Sequence, residues 1–308
     1  MDNIRFVAEF TTNPMGNLNV LLRMVKKAAE AGCSLIKMQK KDVDAFYTQE
    51  KLNTPFESPY GKTYRDYREI FEFDEEQFHI FDRECQKYGI GWFSTAQDIP
   101  SLKFLAKFDL PIYKVASSNV GNDDLLREIV ANIPKSKEIV FSVGGAEIDR
   151  IERTLNMLSG FRKVTILHCV AEYPCLDEHC KLGNITELRR RFESPDVAIG
   201  YSGHEEGFKP TLAAIALGAK MIERHICLSR ASFVHHIECS LEPEEYTELI
   251  SIVKSAKSID ELSRLYDGLS EATFVCDFSM SEKEREFIVG GKYGTKYVVG
   301  KSHIYQGE

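Results

Sequence analysis

The sequence predicts an α/β protein, an eight-stranded (β/α)8 TIM barrel followed by a C-terminal extension. Eight short β-rich runs alternate with segments of helical period, and strands separated by helices must pair in parallel. The chain has 308 residues, which allows two domains or one barrel of about 250 residues. An open doubly wound sheet is disfavoured, because the turn after the first strand, Glu9–Gly16, lacks the G-x-G-x-x-G pattern.

The predicted elements follow one another in a regular order. The eight strands are Phe6–Phe10, Leu35–Gln39, Ile90–Ser94, Ile112–Ala116, Ile139–Val143, Val164–Cys169, Val197–Tyr201 and Met221–Ile226. Asn19–Ala31 illustrates the helices between them, because its apolar residues recur at helical spacing and Gly32 supplies a stop. Pro210–Leu217 repeats this pattern, with its proline suited to a first helical turn.

Two segments depart from this alternation. The stretch from Lys40 to about Phe73 is long and rich in Tyr, Pro, Lys and Asp, which is typical of a functional loop over the mouth of a barrel. From about Ser258 onward the alternation stops, and the tail is charged and rich in glycine. We therefore expect a barrel over residues 1–260 and an extension or linker over residues 261–308.

Composition and charge exclude several classes of protein. A formal net charge of −8 and a pI near 5.6 argue against nucleic-acid or anionic-membrane binding, which needs clustered Lys and Arg. The densest basic run, Arg189–Arg191, is interpreted as the end of a helix. There is no apolar run of about 18 residues to span a bilayer, and the N-terminus lacks the pattern of a secretory signal. We expect a cytoplasmic protein.

The cysteines point to the same compartment. Eight cysteines in a chain of this length do not make a disulfide scaffold, and no pair has the C-x-x-C spacing. Four are predicted to be small buried residues, namely Cys33, Cys85, Cys169 and Cys227. Cys175 and Cys180 are predicted to lie in a loop without a specific role.

Polar residues gather at the C-terminal ends of the predicted strands. They are Glu9, Lys37, Gln39, Ser94, Thr95, Lys114 to Ser118, Ser142, His168, Ser202, His204 and His225. In an eight-stranded α/β barrel these ends converge on one face, where active sites are built. This convergence predicts an enzyme.

Two lysines at strand ends, Lys37 and Lys114, require an explanation, because an unpaired ammonium inside a barrel is costly. One explanation is a buried ion pair, or a side chain that reaches the rim. With four neighbouring hydroxyl side chains, the lysines would instead form a pocket for a phosphate and a carboxylate. A Schiff-base lysine is the competing enzymatic use, since burial beside a second cation lowers a lysine pKa. The residues alone leave these alternatives open.

The histidines are a second indication of an active site. His204 lies just past one predicted strand and His225 near the end of the next, so a barrel would bring them face to face. Two imidazoles completed by water could hold a divalent metal such as Mn²⁺ or Co²⁺. A pair of hydrogen-bonded structural histidines is the alternative. His235 and His236 follow closely and could reach the same mouth.

A set of short segments, taken in order, carries a family resemblance. They are Val7–Phe10 with Asn13, Ile36–Gln39, Phe93–Thr95, Tyr113–Ser117, Phe141–Gly144, Leu167–Cys169 with Tyr173–Pro174, Gly200–His204, Ile222–Ile226 and Ser240–Pro243. Over about residues 5–260 the sequence resembles the sialic acid synthase family. The resemblance implies a barrel that condenses phosphoenolpyruvate with an N-acylated aminosugar such as N-acetylmannosamine, or its 6-phosphate, and releases phosphate. It further implies a homodimer and a divalent metal, Mn²⁺ first, with Mg²⁺ or Co²⁺ as alternatives.

The resemblance also implies roles at the matching positions. The residues that would hold phosphoenolpyruvate are Lys37, Thr95, Lys114, Ser117, Ser142 and Ser202. The metal would be held by His204 and His225, and these two histidines with Lys37 and Lys114 form the expected catalytic set. The residues expected at the acceptor sugar are Glu9, Gln39, Asn119, Tyr173 and His235.

Departures from the family pattern fall mainly on the acceptor side. Asn119 stands where the family usually has an acidic residue, and an amide cannot act as an acid or base. Gly203 replaces an aspartate of many members, and His235 with His236 replaces an Asp-His pair. Ala171 stands where a Ser or Asn usually contacts phosphoenolpyruvate. The family also carries a C-terminal antifreeze-protein-like domain, which we expect to be lacking because the sequence ends about where that domain would begin.

Three hypotheses of function follow. The first is a synthase of this reaction class whose acceptor differs, for example a modified or phosphorylated aldose. The second is a barrel that binds a sugar, a carboxylate ligand or a partner protein without turnover. The third is a Schiff-base aldolase that uses Lys37 or Lys114.

Overall fold

The computed structural model describes residues 4–288, and within this range eight parallel strands close into a barrel. In chain order the strands are β1 (Arg5–Glu9), β2 (Leu35–Lys40), β3 (Pro55–Ser58), β4 (Gly61–Thr63), β5 (Gly91–Ala96), β6 (Ile112–Val115), β7 (Glu138–Ser142), β8 (Lys163–His168), β9 (Val197–Gly203) and β10 (Met221–His225). Strands β3 and β4 form a separate antiparallel hairpin, and the other eight follow chain order around the barrel. The predicted TIM barrel is confirmed, and each of its predicted strands ends within two residues of the observed one.

Helices lie around the barrel and over its mouth. They are α1 (Leu18–Glu30), α2 (Val43–Phe46), α3 (Gln49–Leu52), α4 (Tyr64–Glu69), α5 (Glu75–Tyr88), α6 (Ile99–Leu105), α7 (Asp123–Asn132), α8 (Ile148–Leu158), α9 (Gly183–Phe192), α10 (Lys209–Ala216), α11 (Pro243–Ser255), α12 (Ile259–Ser263) and α13 (Glu282–Ile288). Helix α1 buries Leu21, Met24, Val25 and Ala28, the face that the apolar spacing predicts. The basic run Arg189–Arg191 lies in the last turn of α9, as predicted.

Strand register sets the height of the polar residues. Glu9 of β1 lies beside Lys37 of β2 on one side and His225 of β10 on the other. Thr95 of β5 lies beside Lys114 of β6. Because the strands are parallel, these residues reach the same C-terminal end of the barrel. Below them an apolar layer fills the interior, formed by Val7, Phe93, Ile112, Val140, Leu167 and Met221.

The opposite, N-terminal end is closed by a polar cluster. Both guanidinium nitrogens of Arg5 donate to the Glu138 carboxylate, at 2.8 and 2.6 Å, and the Thr165 hydroxyl donates to it at 2.8 Å. Glu138 is only 3% exposed, so this carboxylate depends on those partners rather than on water. Burial alone would raise the pKa of Glu138. The Arg5 ion pair and the Thr165 hydrogen bond nevertheless keep this pKa below the usual value of 4.5.

Replacing Glu138 with glutamine is expected to lower the free energy of unfolding by about 1–3 kcal/mol, since Arg5 loses its charged partner. A carboxyl group whose pKa is lower in the folded than in the unfolded protein stabilises the fold. Its full contribution is present above the unfolded pKa, near 4.5, and is lost as the pH falls through the folded pKa. The stability difference between wild type and Glu138→Gln should therefore be constant near neutrality and shrink in acid, as measured by urea denaturation. Glu57→Gln, on the exposed face of the hairpin, is the matched control. A difference that grows in acid would contradict this assignment.

The loop predicted over the barrel mouth is a structured unit, here named the lid segment (residues 41–73). It contains α2, α3, the β3–β4 hairpin and α4. Its own small apolar core is formed by Val43, Phe46, Tyr47, Leu52, Tyr64, Tyr67 and Phe71. Three of the tyrosines that make this stretch unusual in the sequence, Tyr47, Tyr64 and Tyr67, are thus part of the core that holds the segment together.

After α12, the chain returns to the barrel surface. The backbone N–H of Leu182 donates to the Thr273 carbonyl at 2.7 Å, and that of Ala171 donates to the Glu284 carboxylate at 2.9 Å. The predicted extension therefore packs along the loops after β8 over the part that is described. Residues 289–308 of that extension lie outside the described residues.

The four cysteines predicted to be buried are buried, and so are Cys175 and Cys180. The last two lie between regular elements, as predicted, yet their sulfur atoms are 3.9 Å apart in the interior. Between residues 4 and 288, no helix combines the length and apolar character that crossing a membrane requires.

Candidate active site

A cavity of about 160 Å³ opens at the C-terminal end of the barrel, beneath the lid segment. Every residue predicted for the site lines this cavity except Glu9. They come from several strands and βα loops, which the closed barrel brings together. The predicted convergence of strand ends is confirmed for these residues.

Glu9 lies directly behind the cavity wall and is 1% exposed. One carboxylate oxygen lies 2.9 Å from the Lys37 ammonium, and the other accepts a hydrogen bond from the Gln39 amide at 2.9 Å. The resemblance implied a contact between Glu9 and the acceptor sugar. The structure places its carboxylate where it holds two cavity residues, Lys37 and Gln39, in position.

A buried carboxylate joins the two strand lysines. Glu223 of β10 lies 2.9 Å from the Lys37 nitrogen and 3.2 Å from the Lys114 nitrogen, and it accepts the Ser202 hydroxyl at 3.0 Å. All four side chains are at least 95% buried. Two ammonium groups, Lys37 and Lys114, thus face two carboxylates, Glu9 and Glu223. The ion-pair interpretation of the lysines is confirmed. The paired lysines also line the cavity, so a pocket for a phosphate and a carboxylate stays a prediction that this geometry allows.

The electrostatics of this cluster follow from burial and proximity. Burial lowers the pKa of Lys37 to about 7, opposed by Glu223 and assisted by Lys114. Burial alone would raise the pKa of Glu223, but Lys114 and Lys37 together lower it to about 2. Glu223 is therefore ionised and Lys37 is held near its titration point. An arriving anion would favour the protonated form of Lys37 and so be bound by two cations.

The hydroxyl side chains around these lysines present donors to the cavity. Among the described residues, the Thr95 and Ser142 hydroxyl oxygens are buried without a hydrogen-bond partner. The Ser117 hydroxyl accepts from the Gly144 N–H at 3.0 Å and contacts the Cys169 sulfur at 3.1 Å. Buried polar atoms are normally paired, so Thr95 and Ser142 are suited to a polar ligand in the cavity.

Two predicted strand-end residues, Ser94 and His168, do not reach the cavity. Ser94 is fully buried beside Thr95, and the His168 ring bonds the Cys180 carbonyl at 2.8 Å. Side chains alternate between the two faces of a strand, so Ser94 points away from the barrel axis when Thr95 points toward it. Both residues lie at strand ends, as predicted, but proximity to a strand end does not fix the face of the strand.

His204 and His225 face each other as predicted, with ring centroids 5.5 Å apart. The His204 Nδ1 donates to the Val170 carbonyl at 2.7 Å, which leaves Nε2 as the unprotonated nitrogen. The His225 Nδ1 is buried with no hydrogen-bond partner in the described part of the chain. Burial lowers the pKa of His204 to about 4, and that of His225 further below its usual range.

This histidine pair fits a divalent metal in an open site. Neutral imidazoles are suitable ligands for Mn²⁺ or Co²⁺, and the Val170 bond fixes the His204 tautomer. Within residues 4–288 no group of three or more His, Cys, Asp or Glu is placed to hold a metal. Two histidines alone would leave the other coordination positions of a bound metal open.

The remaining predicted acceptor residues occupy the upper cavity. The Tyr173 ring lies over His204, with centroids 4.1 Å apart, and over His236 at 4.0 Å. Asn119 is 1% exposed, and its amide donates to the Gln97 carbonyl at 3.1 Å. His235 packs on Tyr67 of the lid segment at 4.9 Å between centroids. The lid segment and the loops after β8 and β10 therefore meet above the histidine pair.

Three charged residues that line the cavity were not predicted. Glu223 is the single acid of a buried strand, and the two lysines already required a counter-ion, so the sequence held a signal for it. Lys41 and Arg68 belong to the lid segment and line the cavity. The lid segment contains many charged residues, and nothing in the sequence distinguishes Lys41 and Arg68 from those on the surface. Their position in the cavity follows only from the fold of the lid segment.

Comparison with known proteins identifies the family of this chain. Residues 24–262 match the NeuB family. N-acetylneuraminate-9-phosphate synthase of Drosophila melanogaster is 34% identical over 262 residues, which cover 83% of this chain and 69% of that protein. The Homo sapiens protein of the same name is 30% identical over 286 residues, which cover 92% and 77%.

A solved structure with a similar fold is that of a protein with a related name. It is an N-acetylneuraminic acid (sialic acid) synthetase from Leptospira borgpetersenii serovar Hardjo-bovis in complex with citrate. The TM-score is 0.69 at 26% identity, and the match covers 94% of this chain and 92% of that one. The predicted family resemblance is confirmed, and this chain belongs to the NeuB family.

Proposed function

We propose that this protein condenses phosphoenolpyruvate with the open-chain aldehyde of an N-acylated aminosugar or a related aldose, forming a sugar 2-keto acid and phosphate. The observation that carries the proposal is the buried cluster of Lys37, Lys114 and Glu223 next to the His204–His225 pair, in one cavity. Relatives named for N-acetylneuraminate synthesis support this reaction class.

Phosphoenolpyruvate would bind at the inner end of the cavity. Its phosphate and carboxylate would contact the ammonium groups of Lys37 and Lys114 and the unpartnered hydroxyls of Thr95 and Ser142. Glu223 lies between the two ammonium groups, and its negative charge opposes the loss of the Lys37 proton. Fixed cations in a site shielded from water stabilise charge that develops during reaction, without reorganisation at that moment.

The reaction forms one carbon–carbon bond and replaces the C2–O bond to phosphate with a C2–O bond from water. C3 of the enol attacks the aldehyde carbon, whose oxygen takes a proton. Water adds to C2, and the tetrahedral intermediate breaks its C2–O bond to phosphate, which leaves a 2-keto acid. Lys37 and Lys114 offset the charge on the departing phosphate, and the buried Lys37, with its pKa near 7, can give up a proton there.

A divalent metal, Mn²⁺ first with Mg²⁺ or Co²⁺ as alternatives, is part of the proposal. His204 and His225 would hold it, and when bound it would polarise the aldehyde oxygen as a Lewis acid. Tyr173, stacked on His204, would orient the acceptor beside this pair, with Gln39, Asn119 and His235 around it.

The proposal also covers the oligomeric state and the cellular location of the enzyme. We infer a homodimer from family resemblance, and a cytoplasmic location from eight free cysteines, a state that a reducing compartment preserves. The relatives are named for a free and for a 9-phosphorylated product, so family membership leaves open whether the acceptor carries a phosphate.

The direct test is phosphate release with phosphoenolpyruvate, Mn²⁺ and a panel of aldoses that includes N-acetylmannosamine and its 6-phosphate. Release should require both substrates. Thr95→Ala should raise KM for phosphoenolpyruvate about 5- to 10-fold, the effect of one hydrogen bond. Ser94→Ala, a neighbouring hydroxyl that does not line the cavity, is the matched control and should leave KM unchanged. If phosphoenolpyruvate raises the melting temperature but no aldose gives phosphate, the protein is a ligand-binding barrel instead.

A further inference from the structure

One peptide group of the loop after β8 lies between the C-terminal extension and the histidine pair. Its carbonyl, from Val170, accepts the Nδ1–H of His204 at 2.7 Å. Its N–H, from Ala171, donates to the Glu284 carboxylate of α13 at 2.9 Å. A single planar peptide unit therefore carries a hydrogen bond at each end and connects Glu284 to His204.

This row of hydrogen bonds is shielded from water. None of its four residues, Val170, Ala171, His204 and Glu284, is more than 6% exposed. Hydrogen bonds are stronger in such an interior than in water, and a bond at one end of a peptide group polarises the group and strengthens the bond at its other end. A carboxylate at the N–H end thus makes the carbonyl a better acceptor for the imidazole N–H.

Closure of the first turn of α13 accounts for only one of the two Glu284 carboxylate oxygens. The Ser281 hydroxyl accepts the Glu284 backbone N–H at 3.1 Å, and the Glu284 Oε2 accepts the Ser281 N–H at 3.1 Å, which is the reciprocal pair typical of a helix N-terminus. The Glu284 Oε1 is the atom that accepts the Ala171 N–H. A residue that only capped α13 would need neither this second bond nor its burial in the protein.

The loop after β8 is held on both of its sides. On the side of the cavity, the Tyr173 ring packs on His204 with centroids 4.1 Å apart, and the Cys175 N–H donates to the His204 carbonyl at 2.9 Å. On the side of the extension, the Ser281 hydroxyl donates to the Glu172 carboxylate at 2.7 Å. The loop thus links the position of the extension to that of the histidine.

We propose that Glu284 is a positioning residue for His204 and acts through the Val170–Ala171 peptide group. The inference rests on the proposed function, in which His204 would hold a divalent metal through Nε2. A histidine ligand needs a partner for its other nitrogen, because that partner fixes the tautomer and the direction of the ring and raises the basicity of the ligating nitrogen. Glu284 strengthens this partner from a segment that the sequence predicts to be an extension or linker.

The first measurement is the dissociation constant of Mn²⁺ by titration calorimetry, with the intact protein and no substrate. Glu284→Ala should weaken Mn²⁺ binding about 10-fold, the lower end of the range for groups that support a metal ligand. Glu284→Gln keeps an oxygen for the Ala171 N–H but removes the charge, so its loss of affinity should be smaller but measurable. Glu282→Gln, at an exposed position of the same helix, is the matched control and should bind Mn²⁺ as wild type does.

Phosphate release separates a positioning role from a general loss of activity. In Glu284→Ala the Mn²⁺ concentration that gives half the maximal rate should rise by the same factor as the dissociation constant. The kcat at saturating Mn²⁺ should change little, because Glu284 does not line the cavity and touches no substrate.

The second measurement does not depend on a metal. Nitrogen-15 spectra of the metal-free protein report which imidazole nitrogen carries the proton, and the His204 signals are identified by their loss in His204→Ala. Wild type should show the Nδ1–H form, and Glu284→Ala should show a mixture of both forms, since the carbonyl that selects the first form is then less firmly held.

The outcomes distinguish this proposal from the proposed function. If Glu284→Ala is only less stable, with Mn²⁺ affinity and the His204 tautomer as in wild type, the positioning role is overturned while the synthase function stands. If wild type binds no Mn²⁺, the metal function fails, and the tautomer in Glu284→Ala alone decides the positioning role. If Glu284→Ala does not fold, both comparisons are made with Glu284→Gln, and an unchanged Mn²⁺ affinity in that variant overturns the proposal.

Discussion

Replacing Lys114 with methionine is expected to lower kcat/KM for phosphoenolpyruvate about 100- to 1000-fold, the loss typical of removing one preorganised charge-stabilising donor. Lys114 lines the cavity, and its ammonium lies 3.2 Å from both Glu223 oxygens. Methionine fills a similar volume without charge. The compensated cluster would then carry one excess negative charge and would repel an anionic substrate. Steady-state phosphate release measures the effect.

Lys114→Met should remain folded, because Glu223 keeps Lys37 at 2.9 Å and the Ser202 hydroxyl at 3.0 Å. Lys37→Met is the informative partner variant. It would deprive Glu9 of its cation as well, so its free energy of unfolding should fall by about 1–3 kcal/mol in addition to the loss of activity. A Lys114→Met enzyme that keeps kcat/KM within tenfold would contradict the assignment.

The barrel could be predicted because each of its elements is determined locally. A parallel strand buried on both faces reads as a continuous apolar run, and a covering helix reads as a periodic one, so α1 and the eight barrel strands were located within two residues. The internal structure of the lid segment could not be predicted. Its α2 and α3 are four residues long and hold their shape through contacts with Tyr64 and Tyr67, which lie more than ten residues away.

The same distinction applies to the site. Lys37, Thr95 and Lys114 were predictable because register and parallel strands fix their height and face. Lys41 and Arg68 were not predictable, because they are 27 positions apart and reach the same cavity only through the fold of the lid segment. The strand residues of the site could therefore be placed from the sequence, whereas the lid residues required the structure.

Glu223→Gln is expected to have the largest effect on stability, with the free energy of unfolding lowered by about 3 kcal/mol. The substitution keeps the shape and the polar contact to Ser202 but leaves two buried ammonium groups with Glu9 alone. Lys37 can limit this cost by losing its proton, since burial already lowers its pKa to about 7. That response would remove one of the two charges proposed to bind phosphoenolpyruvate, so kcat/KM should fall as well.

Stabilisation by phosphoenolpyruvate distinguishes the loss of negative charge in Glu223→Gln from a simple packing defect. Phosphoenolpyruvate supplies the negative charge that Glu223→Gln removes, so at saturating ligand it should raise the melting temperature of the variant more than that of wild type. Glu205→Gln is the matched control, because Glu205 is equally buried but pairs with Arg224 outside the cavity, and its loss of stability should not be relieved by phosphoenolpyruvate. An equal thermal shift in wild type and Glu223→Gln would show that the carboxylate and the substrate do not share the same two cations.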